Sequence, residues 1–447
     1  MNRTLSFKHI NKLAIPALIA GISEPILSIT DTAIVGNMEV NATESLAAVG
    51  IVGTFISMLI WVLGQTRSAI SSIVSQYVGA NKVDKIKNLP AQAIFIITAL
   101  SIIIILTTFP FTNTIFRLYN ASGVILDYTS EYYKIRVFGF PFTLFSIAVF
   151  GTFRGLQNTY YPMIIAIVGA LTNIVLDVVL VFGIEGIIPV LNIKGAAYAS
   201  LISQCIMAIL SAYYLLKKTN IPLKLSFPLN HEINRFIIMI LNLFVRTLAL
   251  NATLYFATRF ATGYGTAHIA AYTIAINLWF FGAFFIDGYA SAGNILSGKL
   301  YGAKDYKTLM ALSNKLIRYG IVVGVILAII GGIFYYPIGR VFSKDHEVLN
   351  LFYSSFWIVL LMQPLCALAF IFDAIFKGLG MMKFLRNILL FSTFIVFIPI
   401  LFLLDSFNYK LHAIFIAMTF WIIARGLPLI IFFRKKFLTL SKTLKFV

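Results

Sequence analysis

Acidic side chains are scarce in this sequence. Its 447 residues include 16 Asp and Glu against 35 Lys and Arg, and charged residues of all types make up 11% of the chain. Soluble domains carry about 25% charged residues. Hydrophobic residues make up 60% here. These proportions exclude an ordinary soluble domain and predict an integral membrane protein.

Cysteines and catalytic motifs are also lacking. The two cysteines, Cys205 and Cys366, each lie in an apolar stretch, so a disulfide is not expected. The sequence has no GxSxG motif and no phosphate-binding glycine loop, and HEINR at 231–235 lacks the second histidine of HExxH. We therefore expect neither an enzyme nor a bound cofactor, and any energy that the protein uses must come from an ion gradient or from a partner.

The chain does contain repeated apolar runs of about twenty residues, each long enough to cross a bilayer as a helix. We predict twelve spans, with no room for a soluble domain between them. In chain order they are 10–36, 46–77, 90–111, 127–150, 159–183, 193–216, 233–261, 267–297, 309–337, 349–376, 384–404 and 411–433.

The net charge of +19 would suggest nucleic acid in a soluble protein, but here its distribution indicates orientation. With the N-terminus inside, the inside segments hold many more Lys and Arg than the outside loops, where we find only Arg117, Lys194, Arg340, Lys344 and Lys410. This bias is typical of cytoplasmic segments. We predict a multi-pass protein of the plasma membrane with both termini cytoplasmic, in contact with lipid and not with nucleic acid.

An internal repeat divides the chain. A single shift of 223 residues superimposes YVGANK at 77–82 on LYGAKD at 300–305, and FRGL at 153–156 on FKGL at 376–379. We call residues that this shift relates repeat equivalents. Such agreement at one ungapped offset predicts a duplicated unit.

The repeat predicts two six-helix lobes, residues 1–216 and 233–447, joined by a cytoplasmic linker at 217–232. Because six is even, both lobes start on the same side of the membrane, and the repeats are parallel. The predicted fold class is therefore an all-α integral membrane protein with twelve transmembrane helices in two lobes. This architecture is typical of transporters.

Several motifs resemble the multidrug and toxic compound extrusion family. They are SITDTAIVGN at 28–37, FRGLQNTYYP at 153–162 and TNIVLDVVLVFG at 172–183, while FIDGYASAGNILSGKLYGAKD at 285–305 is similar to the family's DinF-like branch. The resemblance covers essentially the whole chain. It implies export of small organic solutes driven by inward flow of protons or sodium ions, and we expect a monomer.

Two positions depart from the pattern of the family's second lobe. Branch members often have a glutamate seven residues after Asp287, where this chain has Asn294, and an acidic residue on helix 7 in other members is matched by Asn251. These departures direct the search for a coupling site to the first lobe.

Asp31 is the first candidate for that site. A charged group at the middle of a bilayer costs roughly 2.5–3.5 kcal/mol on insertion scales, so such residues usually face a cavity and have a function. Its repeat equivalent is Leu254, so the fold tolerates an aliphatic side chain at this place. We predict a functional role for Asp31, with a satisfied packing residue as the alternative.

Asn173 and Asp177 are four residues apart and share one face of a helix, where their oxygens could bind a hard cation. The resemblance implies that they meet Asp31 across the bundle, and that Ser200 occupies a cation-contacting position. We predict that Asp31, Asn173 and Asp177 couple protons or hold Na⁺. The alternatives are a hydrogen-bonded pair that fixes the helix and, for Ser200, small-residue packing.

Two tyrosines and a glutamate complete the predicted site. Tyr132 resembles an aromatic position near the acidic cluster, and we predict that it takes part in coupling. Tyr133 and Glu24 are predicted to line the substrate cavity. Tyrosines at helix ends also belong to the interfacial belt, which is the alternative for both.

Together these features predict a secondary antiporter that exports amphipathic or cationic organic compounds in exchange for H⁺ or Na⁺. The alternative is a lipid-linked oligosaccharide flippase of the same superfamily. Such flippases generally have a strongly basic cavity, and the acidic first lobe favours export of cations.

The predicted topology can be tested by thiol labelling in intact cells after Cys205 and Cys366 are replaced. Cysteines at Asn220 and Leu440 are expected to resist a membrane-impermeant reagent, because both positions are predicted to be cytoplasmic. Arg117→Cys, in a predicted outside loop, is the positive control. Labelling at 220 or 440 would show that the span count is wrong.

Overall fold

The computed structural model is built of helices. It describes residues 6–38 and 41–443, without the side chains of residues 24, 25, 27–29 and 441–443. Within these ranges no β-strand forms, so the predicted all-α class is confirmed. In chain order the helices are α1 (Phe7–Gly36), α2 (Ala42–Leu63), α3 (Thr66–Gly79), α4 (Leu89–Thr108), α5 (Thr112–Arg117), α6 (Gly123–Arg136), α7 (Phe140–Gly155), α8 (Tyr160–Phe182), α9 (Ile193–Lys218), α10 (Ile233–Gly263), α11 (Thr266–Gly302), α12 (Tyr306–Ile333), α13 (Tyr335–Phe342), α14 (His346–Gly378), α15 (Met382–Phe391), α16 (Ile398–Ser406) and α17 (Leu411–Thr443).

Eleven helical segments among the described residues are long and apolar enough to cross a bilayer, and they coincide with the second to twelfth predicted spans. The first predicted span, 10–36, coincides with α1, a helix of 30 residues. Helices suit these sequences because lipid offers no hydrogen-bond partners to the backbone, so each segment must satisfy its own N–H and C=O groups.

Polar side chains and glycine set several helix ends. The Asp305 carboxylate accepts a hydrogen bond from the Thr308 amide (3.0 Å) at the start of α12, and Asp345 accepts one from the Glu347 amide (2.8 Å) at the start of α14. Such N-caps satisfy amides that have no partner within the helix. Gly183 follows the last residue of α8 with φ of 73°, a conformation that favours glycine.

The described chain forms two compact units. We call the first the N-unit; it consists of Ile19–Val74 and Lys82–Ile240. The C-unit consists of the residues from Leu241 onward, Ser75–Asn81 and the residues up to Leu18. The predicted lobe boundaries at 216 and 233 are not tested by this division and stay a prediction.

In the N-unit, α8 and α9 pack closely through small residues. A Cβ added to Gly169 would lie 2.3 Å from the Met207 sulfur, and one added to Gly195 would lie 2.4 Å from the Leu180 carbonyl oxygen. Small residues permit such close approach of membrane helices. As a result, Ser200 on α9 is held against the helix that carries Asp177.

In the C-unit, the end of α3 crosses the end of α11 through a reciprocal glycine contact. A Cβ on Gly79 would lie 1.8 Å from the Lys299 carbonyl oxygen, and a Cβ on Gly302 would lie 1.8 Å from the Gln76 carbonyl oxygen. The two contacts are repeat equivalents, because 302 − 79 = 223 and 299 − 76 = 223. The duplicated segments therefore pack against each other, backbone on backbone.

The same crossing contains a third repeat-equivalent pair, Ser75 and Gly298, since 298 − 75 = 223. A Cβ on Gly298 would lie 1.9 Å from the Ser75 hydroxyl oxygen. The Gln76 side chain adds a hydrogen bond from its amide nitrogen to the Gly378 carbonyl oxygen at 2.8 Å. We call Ser75–Gly79 and Gly298–Gly302 the glycine crossing.

Gly302→Ala is expected to destabilise the protein by about 1–3 kcal/mol, because the added methyl group would overlap the backbone of Gln76. The control is Gly332→Ala on α12, where an added Cβ meets nothing within 4 Å. The measurement is the thermal unfolding midpoint of each purified variant in one detergent. Equal midpoints for Gly302→Ala and Gly332→Ala would contradict the close crossing.

Candidate functional site

The structure brings three of the predicted site residues together within the N-unit. Asn173 on α8 donates from Nδ2 to Oδ1 of Asp31 on α1 at 3.2 Å, and also to Oδ2 of Asp177, one turn further along α8. The exposed fractions of Asp31, Asn173 and Asp177 are 7%, 3% and 0%. An amide thus lies between two buried carboxyl groups, which we call the acidic cluster.

The two carboxyl groups also approach each other within hydrogen-bonding range. Ionised carboxylates only accept hydrogen bonds, so a proton or a cation between the two groups would stabilise such a contact. Oδ1 of Asp177 is buried and accepts no hydrogen bond from any residue that the structure describes. A bound proton or a small hard cation would satisfy this oxygen.

Ser200 and Tyr132 border the acidic cluster. Ser200 on α9 is fully buried beside Asp31, and its hydroxyl has no other hydrogen-bond partner in the described part of the chain. Tyr132 on α6 is buried, with its hydroxyl close to both aspartates. Both residues therefore lie near the aspartates, as the family resemblance implies, while their roles in coupling stay predictions.

Arg136 is not among the residues predicted from the sequence. This half-buried last residue of α6 lies beside the Tyr132 hydroxyl, and its charge acts on Asp31 and Asp177. A signal was available in the sequence, because Arg136 is a basic residue inside the predicted span 127–150. It also shares a helix face with Tyr132, four residues earlier.

Tyr133 has different surroundings. Its hydroxyl donates to the Thr108 hydroxyl at 2.6 Å, and its ring packs edge-on against Phe116 and Phe55 with centroid distances of 5.1 and 5.8 Å. The structure does not bring Tyr133 to the acidic cluster, and its place in the substrate cavity stays a prediction. The cavity role predicted for Glu24 also stays a prediction, because its side chain lies outside the described residues.

The positions of the C-unit that are equivalent to the acidic cluster are uncharged. The repeat equivalents of Asp31, Asn173 and Asp177 are Leu254, Val396 and Ile400. Beside them, the Thr253 and Thr393 hydroxyl oxygens are 2.9 Å apart, and Trp421 donates to Thr393 at 3.2 Å. Thr393 lies in a π-helical stretch, Ser392–Phe397, between α15 and α16. The acidic cluster is therefore specific to the first repeat.

No group of three or more His, Cys, Asp or Glu side chains suited to a metal ion occurs among the described residues. The acidic cluster offers two carboxylates and one amide. Carboxylate and amide oxygens suit a hard cation better than a soft transition metal.

The sequence profile of the MatE family matches residues 16–179 and 241–403, once in each half of the chain. Protein DETOXIFICATION 42 of Arabidopsis thaliana is 31% identical over 251 residues, which is 56% of this chain and 47% of that protein. The chain therefore matches about half the length of this relative. DNA damage-inducible protein F of Escherichia coli (strain K12) is 26% identical over 333 residues, covering 73% of this chain and 71% of that protein.

Solved structures share the fold over nearly the full chain. The crystal structure of MATE in the bent conformation has a TM-score of 0.89 and 21% identity, covering 98% of this chain and 96% of that one. The outward-facing conformation of a multidrug resistance MATE family transporter of the MOP superfamily has a TM-score of 0.85 and 21% identity, covering 97% and 96%. These likenesses confirm the predicted fold of two repeated lobes. Because the family profile matches both halves, the chain belongs to the MatE family, as the resemblance of its motifs indicated.

Proposed function

We propose that this chain is a secondary antiporter that exports amphipathic and cationic organic compounds in exchange for protons or sodium ions. The observation that carries the proposal is the buried acidic cluster, whose repeat equivalents in the C-unit have no charge. The second repeat folds without these charges, so the fold does not require them. Charged residues inside an apolar bundle that the fold does not require indicate a function. We place the protein in the plasma membrane as a monomer with cytoplasmic termini.

The charges of the N-unit support antiport. Asp31 and Asp177 carry two negative charges when ionised, and Arg136 supplies one positive charge nearby. One negative charge is left over, and burying it without a partner is unfavourable. A proton, a sodium ion or a cationic substrate could each neutralise it. Because they compete for the same charge, binding of the ion releases the substrate.

The orientation of Asn173 bears on the choice of ion. Its Nδ2 group points at both carboxyl groups, an arrangement that suits a proton shared between them. A sodium ion would instead require the amide to turn and present its oxygen, because cations are coordinated by oxygen. Both ions remain within the proposal, and they differ in whether the Asn173 amide must rotate.

The conformational step is assigned to α1. Its sequence contains Pro16 and Pro25, and proline allows a helix to bend because it lacks a backbone N–H. Neutralising Asp31 removes the charge that holds α1 in place, so α1 can bend and reduce the space for substrate. An affinity difference of about 1.4 kcal/mol between the two states shifts their ratio tenfold. Release of the ion to the cytoplasm resets the cycle.

Asp31→Asn and Asp177→Asn are each expected to abolish export while the protein still folds, because asparagine keeps the size of aspartate and one acceptor oxygen but not its charge. The measurement is ethidium export in proteoliposomes, with proton and sodium gradients imposed separately. Asn251→Ala is the control; this half-buried residue donates from Nδ2 to the Thr247 carbonyl within α10 at 2.9 Å. Full export by Asp31→Asn would remove the acidic cluster from the mechanism.

Competition between ion and substrate gives a second test. Ethidium binding to the purified protein is expected to weaken as the pH falls from about 8 to about 5, or when sodium is added, because either ion neutralises the acidic cluster. In Asp31→Asn this dependence should vanish. If ethidium affinity in the unmodified protein responds to neither pH nor sodium, the coupling scheme is wrong.

A further inference from the structure

A second charged cluster lies in the C-unit, around Asp373 on α14. Its Oδ1 is 2.5 Å from Nη2 of Arg246 on α10 and 3.5 Å from Nη2 of Arg425 on α17. Its Oδ2 is 3.1 Å from Nζ of Lys377, one turn along the same helix. We call these four residues the basic cluster.

The basic cluster has more positive than negative charge. Three cations surround one carboxylate, and a further acid near Lys377, Asp287 on α11, has an exposed side chain. Counting both acids leaves one positive charge in excess. The side chains of Arg246 and Arg425 are 4% and 7% exposed, so water does little to stabilise that charge.

The two guanidinium groups also have unused hydrogen-bonding capacity. Nε of Arg246 and Nε of Arg425 are buried and find no acceptor in residues 6–38 and 41–443. A guanidinium carries five N–H donors in a rigid plane, and this geometry matches carboxylate and phosphate oxygens. Asp373 contacts only the Nη2 atom of each guanidinium in these ion pairs. The Nε–H groups of Arg246 and Arg425 are therefore left to donate to another anion.

The basic cluster is held in place before any ligand binds. The Arg425 guanidinium lies over the rings of Phe370 and Trp421, at 5.1 and 5.4 Å from their centroids. Stacking of this kind fixes the plane of the group. Lys377 keeps 16% of its side chain exposed and is the member that an incoming group reaches most easily.

The repeated fold itself does not require these charges. The repeat equivalents of Arg246 and Asp373 are Ser23 and Phe150, and only Lys377 has a basic equivalent, Arg154. The first repeat thus has uncharged residues at two of these three positions. This contrast indicates that the basic cluster serves a purpose specific to the second repeat.

We propose that Arg246, Lys377 and Arg425 bind an anion, the carboxylate or phosphate group of a small organic molecule or of a lipid headgroup. The anion neutralises the excess positive charge and accepts hydrogen bonds from the unused guanidinium donors. This proposal goes beyond the export of cations and does not depend on coupling through Asp31. It extends the ligands of the chain to compounds with a net negative charge.

The test is equilibrium binding to the purified full-length chain in a neutral detergent. The probes are radiolabelled benzoate and inorganic phosphate, with benzamide as the uncharged match for benzoate. We expect saturable binding of at least one anion and none of benzamide. Arg425→Lys and Arg246→Lys keep the positive charge beside Asp373 but lose the planar donors, so each should weaken anion binding about tenfold.

Two controls separate this site from other effects. Arg340→Lys changes an exposed arginine on α13 and should leave anion binding unchanged. Asp31→Asn should also leave it unchanged, so failure of the antiport mechanism and failure of the anion site are distinguishable. The source of the anion is identified in nanodiscs of phosphatidylglycerol or of phosphatidylcholine. Displacement of benzoate by phosphatidylglycerol alone indicates a lipid headgroup. No displacement by either lipid indicates a soluble ligand.

The proposal is overturned if neither benzoate nor phosphate binds saturably and phosphatidylglycerol fails to stabilise the protein against thermal unfolding relative to phosphatidylcholine. It is also overturned if anion affinity is the same in Arg425→Lys, Arg246→Lys and the unmodified chain. In either case the basic cluster only joins α10, α14 and α17.

Discussion

A charge buried among apolar helices must be neutralised, and this constraint governs both polar regions of the molecule. Desolvation of a single unpaired ion costs several kcal/mol, which is a large part of the stability of a typical domain. In the N-unit, one amide donates to two carboxyl groups, and one carboxyl oxygen is left without a donor among the described residues. In the C-unit, one carboxylate is shared by three cations and leaves donors without an acceptor. Within the part of the chain that the structure describes, the N-unit thus lacks a positively charged or donating partner, whereas the C-unit lacks a negatively charged or accepting one.

Such charge arrangements depend on how closely the helices pack. Ser200 is fully buried beside Asp31, and its helix, α9, lies against α8 because Gly195 leaves room for the Leu180 carbonyl. A larger residue at 195 would push the helices apart and lengthen the hydrogen bonds, which weaken steeply with distance. Small residues therefore contribute to the polar site without touching it.

The sequence was sufficient to predict the helices, the repeat and the local part of the acidic cluster. Asn173 and Asp177 could be placed together because a spacing of four fixes their relation within one helix. Their meeting with Asp31 was expected only from the family resemblance, since no local rule relates residues 142 positions apart. Family membership in turn followed from motifs spread along the chain, and the family profile matches both halves.

Other contacts between distant helices were not predicted from the sequence. Arg425 lies in a predicted span, yet nothing in its neighbourhood shows that it meets Asp373, 52 positions earlier, because 425 − 373 = 52. Similarly, the repeat identified Gly79 and Gly302 as equivalents but not as neighbours. Periodicity determines which face of a helix a residue occupies, whereas the choice of the facing helix depends on packing in three dimensions.

The glycine crossing also bears on how the chain can change in evolution. If a single six-helix chain paired with a second copy in this way, residue 75 of one copy would contact residue 75 of the other. Any substitution at that position would then change both sides of the contact. Duplication within one chain separates the two positions, so that Ser75 can face Gly298 and only their combined volume must fit. A larger residue on one side of the crossing then requires a smaller one on the other. Positions 75 and 298 should consequently vary together among descendants of this chain rather than one at a time.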